Sequence, residues 1–235
     1  MTASSVLVPP GGETVAVIVA HPDDAESFCG GTIARLVQED HVVHYLIVTH
    51  GEKGSDDPQM TPERLRLLRK QEQQAAAQLL GVQTVTFLEG YVDGVVTASL
   101  ALREALVRFL RTIRPEVVLT FDPWKRYELH PDHRAVGWAT VDAIAAARGR
   151  LDYPEQVEMG LAPHTVRQIY FFNTDQPNHW VDISAVFERK VEARCCHVSQ
   201  LRPGRHPSGY LRRWAEEAGT AAGLSLAEAF HFMGL

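Results

Sequence analysis

Short continuous apolar runs alternate along the chain with longer stretches whose apolar residues recur at helical spacing. Runs at 14–20, 41–49, 83–88, 116–121 and 166–172, rich in Val, Ile, Leu, Phe and Thr, predict strands. Between them, 26–39 carries Phe28, Ile33, Leu36 and Val37, and 62–80 carries Leu65, Leu68, an alanine run and Leu79. Stretches 100–113 and 135–147 complete the helices before the fifth strand. Thr61 ahead of Pro62 marks one helix start, Gly81 marks its end, and Pro115 follows another helix. Strands without alternation, separated by helices, imply a mostly parallel sheet covered on both faces, a Rossmann-like three-layer α/β/α fold. Residues 148–163 read as a polar loop. The tail reads as two or three helices broken at Arg202-Pro203-Gly204 and His206-Pro207-Ser208-Gly209. The expectation is one domain over 1–235, with a core at about 13–183 and a helical segment at about 184–235.

Composition narrows the class. A chain of 235 residues with 45% hydrophobic and 22% charged residues fills one α/β domain of ordinary globular character. A net charge of -6 argues against nucleic acid as a partner, which would need a basic surface. No run approaches the roughly 18 apolar residues of a membrane span. Residues 1–12 lack the basic and apolar regions of a signal peptide. Cys29, Cys195 and Cys196 form neither a metal-spaced pair nor an even disulfide framework, so a reducing cytoplasm is expected. Assembly as a homo-oligomer stays open.

Chemistry concentrates where two strand runs end. One leads into His21-Pro22-Asp23-Asp24; the other leads through a polar loop into His130-Pro131-Asp132-His133. In an open parallel sheet ligands gather at the carboxyl ends of strands, wherever those strands lie in sequence. Imidazole and carboxylate suit a three-ligand zinc site that keeps a fourth position open. His21 and Asp24 can converge on one ion while Asp23 points elsewhere; the bland alternative is a helix cap. His130 and His133 can share one side of a first helical turn started by Pro131; the bland alternative is two surface histidines. Two clusters of the same type, both after strands, favour the metal. The set His21, Asp23, Asp24, His130 and His133 then supplies ligands, a base for water and a donor for an oxyanion. Spacing alone leaves open which Asp ligates and which is the base. Gly30-Gly31-Thr32 has no Walker lysine and no dinucleotide spacing.

Around these clusters the sequence resembles the PIG-L/LmbE family of zinc-dependent de-N-acetylases. The resemblance covers most of the chain and runs through Ala20 to Glu26, Gly30-Gly31-Thr32 and Thr49-His50-Gly51-Glu52-Lys53-Gly54. It continues through Arg69-Lys70-Gln71-Glu72, Leu80-Gly81-Val82, Phe87-Leu88 to Asp93-Gly94, and His130-Pro131-Asp132-His133. His197-Val198-Ser199-Gln200 and Ala227-Glu228-Ala229-Phe230 look like the bacterial branch, particularly the bacillithiol-pathway deacetylases.

The resemblance implies metal ligands His21, Asp24 and His133, general base Asp23, and oxyanion donor His130. It also implies that Arg69 and Asp93 hold the sugar. The expected activity is removal of acetyl from an N-acetylated amino sugar with Zn2+, or Fe2+ or Mn2+ in cells. Rival readings are a nucleotide-sugar-binding transferase, which needs a phosphate loop where His21-Pro22-Asp23-Asp24 stands, and a catalytically silent metal-binding module. The loop 122–129 matches no substrate signature, though Trp124 and Tyr127 are placed to stack on a sugar. Lys53 is either a contact for an anionic aglycone or a plain surface lysine. His50 reads as a solvated loop histidine, Cys29 as core, and Trp138, Trp180 and Trp214 as core or interface. His197 and His206 receive no role.

Overall fold

In a computed structural model that describes residues 12–235, seven strands form one sheet in the order β3-β2-β1-β4-β5-β7-β6. The stretch read for a signal peptide lies almost wholly outside the described residues. Strands β1 (Thr14–Val19), β2 (Val42–Ile47), β3 (Thr84–Phe87), β4 (Val117–Phe121) and β5 (Gln168–Phe172) are mutually parallel. β6 (His179–Asp182) and β7 (Ala227–Gly234) join antiparallel to each other, and β7 pairs antiparallel with β5. The parallel strands are apolar because both of their faces are covered: Val15 to Val19 and Val117 to Leu119 are all buried.

Among the described residues seven helices cover the sheet: α1 (Asp24–Gln38), α2 (Pro62–Leu80), α3 (Leu100–Ile113), α4 (Pro131–Ala147), α5 (Pro154–Glu158), α6 (Phe187–Cys195) and α7 (Pro207–Ala222). α3 packs on α4, while α1 packs on α6 and α2, as right-handed crossovers require when the chain reverses direction across the sheet. After β1 the chain builds β2 and β3 on one side and then returns to place β4 on the other. That reversal opens a crevice at the carboxyl ends of β1 and β4.

Two regions differ from the sequence reading. The tail is not all helix, because β7 inserts between β5 and β6 and buries Ala227, Glu228 and Phe230. The segment Ala227-Glu228-Ala229 favours helix locally, but its pairing with β6, continued by that of His231 to Gly234 with β5, overrides that preference. The expected loop at 148–163 holds the short α5 and is organised by buried Arg111 of α3. Its guanidinium donates to the carbonyls of Ala147, Gly149, Asp152 and Tyr153 at 2.8–3.3 Å.

Candidate metal centre and active site

The crevice brings both histidine clusters together. His21 lies two residues past β1, and His130 is the N-cap of α4, which follows β4. Ring centroids of His21 and His130 are 4.6 Å apart, those of His130 and His133 4.5 Å, and those of His21 and His133 5.4 Å. Donor atoms of His21, His130 and His133 lie within 4.8 Å of one another, as do those of His21, Asp93 and Asp132. Asp24 is in neither group, yet it is the carboxylate that faces both ring systems. One of its oxygens lies 3.4 Å from His21 Nδ1 and the other 3.5 Å from His133 Nε2. These distances are long for hydrogen bonds. They match donors around a tetrahedral ion, whose edges are about 3.4 Å when metal–ligand bonds are near 2.1 Å. His133 Nδ1 is buried without a hydrogen-bond partner, with Glu128 Oε1 at 3.6 Å. The donors present therefore fit a divalent metal held by His21, Asp24 and His133.

The imidazole of His21 is oriented from behind. Its Nε2 meets Asp132 Oδ2 at 2.9 Å and Asp93 Oδ1 at 3.1 Å, which leaves Nδ1 as the lone pair turned to Asp24. Asp132 is fully buried and also accepts the backbone N–H groups of Gly94 and Val96 at 2.7 and 3.0 Å. Burial opposes the Asp132 charge, but His21 and those two N–H groups hold its carboxyl below the usual range. Burial likewise opposes ionised Asp24, and the His133 and His21 imidazoles outweigh it and hold Asp24 well down. For His21, burial alone would depress protonation; Asp132, Asp24 and Asp93 reverse the sign and raise it.

Asp23 has the opposite environment from its neighbour. It occupies the N-cap position of α1 but with φ 85°, a left-handed conformation rare for a residue with a side chain, and makes no capping bond. Such an outlier in a crevice marks a side chain aimed for another purpose. Its Oδ1 lies 3.3 Å from Arg69 Nη2 and its Oδ2 3.0 Å from Arg194 Nη2. Burial pushes the Asp23 carboxyl up, and the two guanidiniums only partly counter it. The acidic pair at the start of α1 also leaves no place there for a phosphate.

His130 is prepared as a neutral donor. Its Nδ1 accepts the Asp132 backbone N–H at 3.3 Å, so the ring proton of the neutral form sits on Nε2. Burial, reinforced by His21 and His133, lowers its pKa. Arg69 and Asp93, the expected sugar contacts, are both buried and have internal partners. Arg69 donates to Gly51 O at 2.8 Å and Pro22 O at 2.5 Å, while its Nε is buried and unpartnered. Gly51, at φ 64°, is required there, because a Cβ would overlap the Arg69 guanidinium. Asp93 turns Oδ1 to His21 and accepts the Lys53 N–H at 3.1 Å on Oδ2.

Sequence reasoning missed several supports. Asp132 stood between the motif histidines without a role. Arg194 and His197 come from the tail, far from Asp23 in sequence, and only folding brings them near. Buried Glu26 accepts from Gln73 Nε2 at 2.9 Å and lies 3.1 Å from His197 Nε2; Gln73 Oε1 in turn accepts the Asp23 N–H at 3.0 Å. His50 is no solvated histidine: it is 3% exposed and stacks on Phe87 at 4.8 Å. Cys29 is buried as expected. Trp124 is half exposed and packs edge-on against Trp138 and Phe171, while Tyr127 is 87% exposed. Trp138 and Trp214 are also partly exposed, and Trp214 stacks on Phe28 at a centroid distance of 6.3 Å.

Residues 16–144 match the model of the PIG-L family, described as GlcNAc-PI de-N-acetylase. Diacetylchitobiose deacetylase of Thermococcus kodakarensis is 34% identical over 221 residues, 93% of this chain and 82% of that one. A probable N-acetyl-alpha-D-glucosaminyl L-malate deacetylase 2 of Bacillus anthracis is 33% identical, covering 80% and 81%. The structure of N,N'-diacetylchitobiose deacetylase from Pyrococcus horikoshii, complexed with its inhibitor MPG, superposes with a TM-score of 0.91. That structure is 32% identical and covers 94% of this chain and 84% of its own.

Proposed function

The chain belongs to the PIG-L family of de-N-acetylases, and from that premise we propose how this site works and on what. The protein is a metal-dependent hydrolase that removes acetyl from an N-acetylated amino sugar. In our reading the metal is zinc, bound by His21, Asp24 and His133. Zinc suits two imidazoles and a carboxylate with a fourth position open, and when bound it supplies Lewis acidity and makes water acidic near pH 7.

Asp23 takes the proton of the attacking water, because its raised pKa makes it a stronger base than an ordinary carboxylate. Arg69 and Arg194 hold its two oxygens in place. His130 donates from Nε2–H to the acetamide oxygen as charge develops there; a neutral imidazole is sufficient for this role. Asp23, once protonated, delivers that proton to the leaving amine. Arg69 and Asp93 border the sugar. Three free thiols and no disulfide support the cytoplasm as the compartment. Among the described residues no helix is long and apolar enough to cross a membrane. The pairing of β7 with β5 supports a single domain.

One observation carries the reading: adjacent aspartates at the end of β1 divide, Asp24 facing two imidazoles and Asp23 two guanidiniums. The test is metal analysis of purified protein with acetate release from diacetylchitobiose, N-acetylglucosaminyl malate and N-acetylglucosaminyl inositol. Stoichiometric divalent metal and release from at least one of these is expected. Failure to bind metal under any reconstitution would overturn it.

A further inference from the structure

A cavity of about 280 Å³ is lined by Arg194, whose Nη2 is on Asp23, and by Gln200, Arg202, Arg205 and Tyr210 with Leu201 and Pro207. No carboxylate lines it. Arg202 and Arg205 face each other across an isolated antiparallel bridge closed by Pro203-Gly204, and neither has an ion-pair or side-chain hydrogen-bond partner among the described residues. Like charges set directly opposite are unfavourable unless something neutralises them. Arg194 is 8% exposed. Its Nη2 is on Asp23, its Nε is on Ser27 Oγ at 3.1 Å, and its Nη1 is buried with no hydrogen-bond partner among the described residues. The Tyr210 hydroxyl lies beside the same guanidinium. Guanidiniums bind the oxygens of an anion through charge-assisted hydrogen bonds, so a cavity lined by three of them and no carboxylate favours an anion.

Three guanidiniums around one cavity stand out in a chain whose net charge is -6. From these observations we infer that the cavity is an anion subsite that takes a carboxylate or phosphate group between Arg202 and Arg205, beside the Arg194 guanidinium. Because Arg194 also holds Asp23, an anion bound there is in contact with the positioning of the base. Whether the group is carried by the substrate's aglycone or arrives as a free anion is a separate matter; the first assignment rests on the deacetylase reading, and the site itself does not.

Isothermal titration of the metal-loaded protein with inorganic phosphate and with N-acetylglucosamine 6-phosphate tests the subsite, with N-acetylglucosamine as neutral control. One-to-one anion binding is expected, weakened about tenfold in the Arg202→Ala/Arg205→Ala double variant, a change of about 1.4 kcal/mol. Both substitutions are on exposed side chains, and an unchanged melting temperature would verify folding. Tighter binding of the sugar phosphate than of inorganic phosphate would assign the anion to the substrate; equal binding would assign a free anion. No anion binding, or binding indifferent to the double substitution as for phosphate held at the metal, would overturn the proposal. Acetate release from neutral diacetylchitobiose tests the deacetylase reading independently, and its absence would leave the titration result standing.

Discussion

Asp23 and Asp24 are consecutive, chemically identical and given different work by their surroundings. The left-handed backbone at Asp23 turns its side chain away from the imidazoles that surround Asp24. On the proposed roles, replacing Asp23 with Asn removes the base but not a ligand. Acetate release is expected to fall by a factor on the order of 10²–10⁴ with metal content unchanged by elemental analysis. Replacing Asp132 with Asn acts through His21, and metal affinity should weaken by roughly 10–100-fold in a competitive chelator titration. The acid limb of kcat/KM follows from Asp23. Since its pKa is raised, activity should be lost as pH falls through a value above that of an ordinary carboxylate, and Asp23→Asn should abolish that limb. Much of this was legible in sequence: the residue types and their positions after two strands point to a metal site, and the family resemblance implies His21, Asp24 and His133 as its ligands. The division between the aspartates came from the resemblance alone and not from spacing, because their different surroundings depend on one φ angle and on guanidiniums from distant segments.

Among the elements, the helices with local punctuation were readable and the late strand was not. α2 begins and ends where Thr61, Pro62 and Gly81 predict, with Thr61 Oγ1 accepting the Arg64 N–H. α3 starts where Ser99 caps Leu102. β7 has no such local signal; its conformation is imposed by β5 and β6, which come from other parts of the chain. α4 deserves the closest structural control, because it carries His130 and His133 at its start. Its Gly137 lies against β4, where a Cβ would sit 2.8 Å from the backbone oxygen of Phe121. Gly137→Ala should therefore destabilise by about 1–3 kcal/mol in chemical denaturation, since neither helix nor strand has a flexible side chain to move aside. Displacement of α4 should lower metal affinity as well.

At the scale of the molecule, the site makes the fold sensitive to acid. Asp24, Asp93, Glu128 and Asp132 are all held below the usual carboxylate range, against burial, by imidazoles, backbone N–H groups and Lys125. A depressed folded pKa contributes stability that is complete above the unfolded value and is lost as pH falls towards the folded one. Asp23 acts in the opposite sense but is a single group. Melting temperature should therefore drop as pH is lowered from about 5 to 3, and metal ligands, which must be deprotonated, act in the same direction.

The position of β7 also sets a schedule for the growing chain. Both histidine motifs leave the ribosome long before Glu228, whose carboxylate accepts the N–H groups of Gly31 and Thr32 in α1 and pairs with buried Lys190. Arg194 and His197, which steady Asp23 and Glu26, also arrive late. A nascent chain that has just made the second motif thus carries both histidine motifs without the tail residues that hold Asp23 and Glu26 in place. The crevice is complete only once the tail has been translated and docked, so the last residues made finish a site whose motifs were made first.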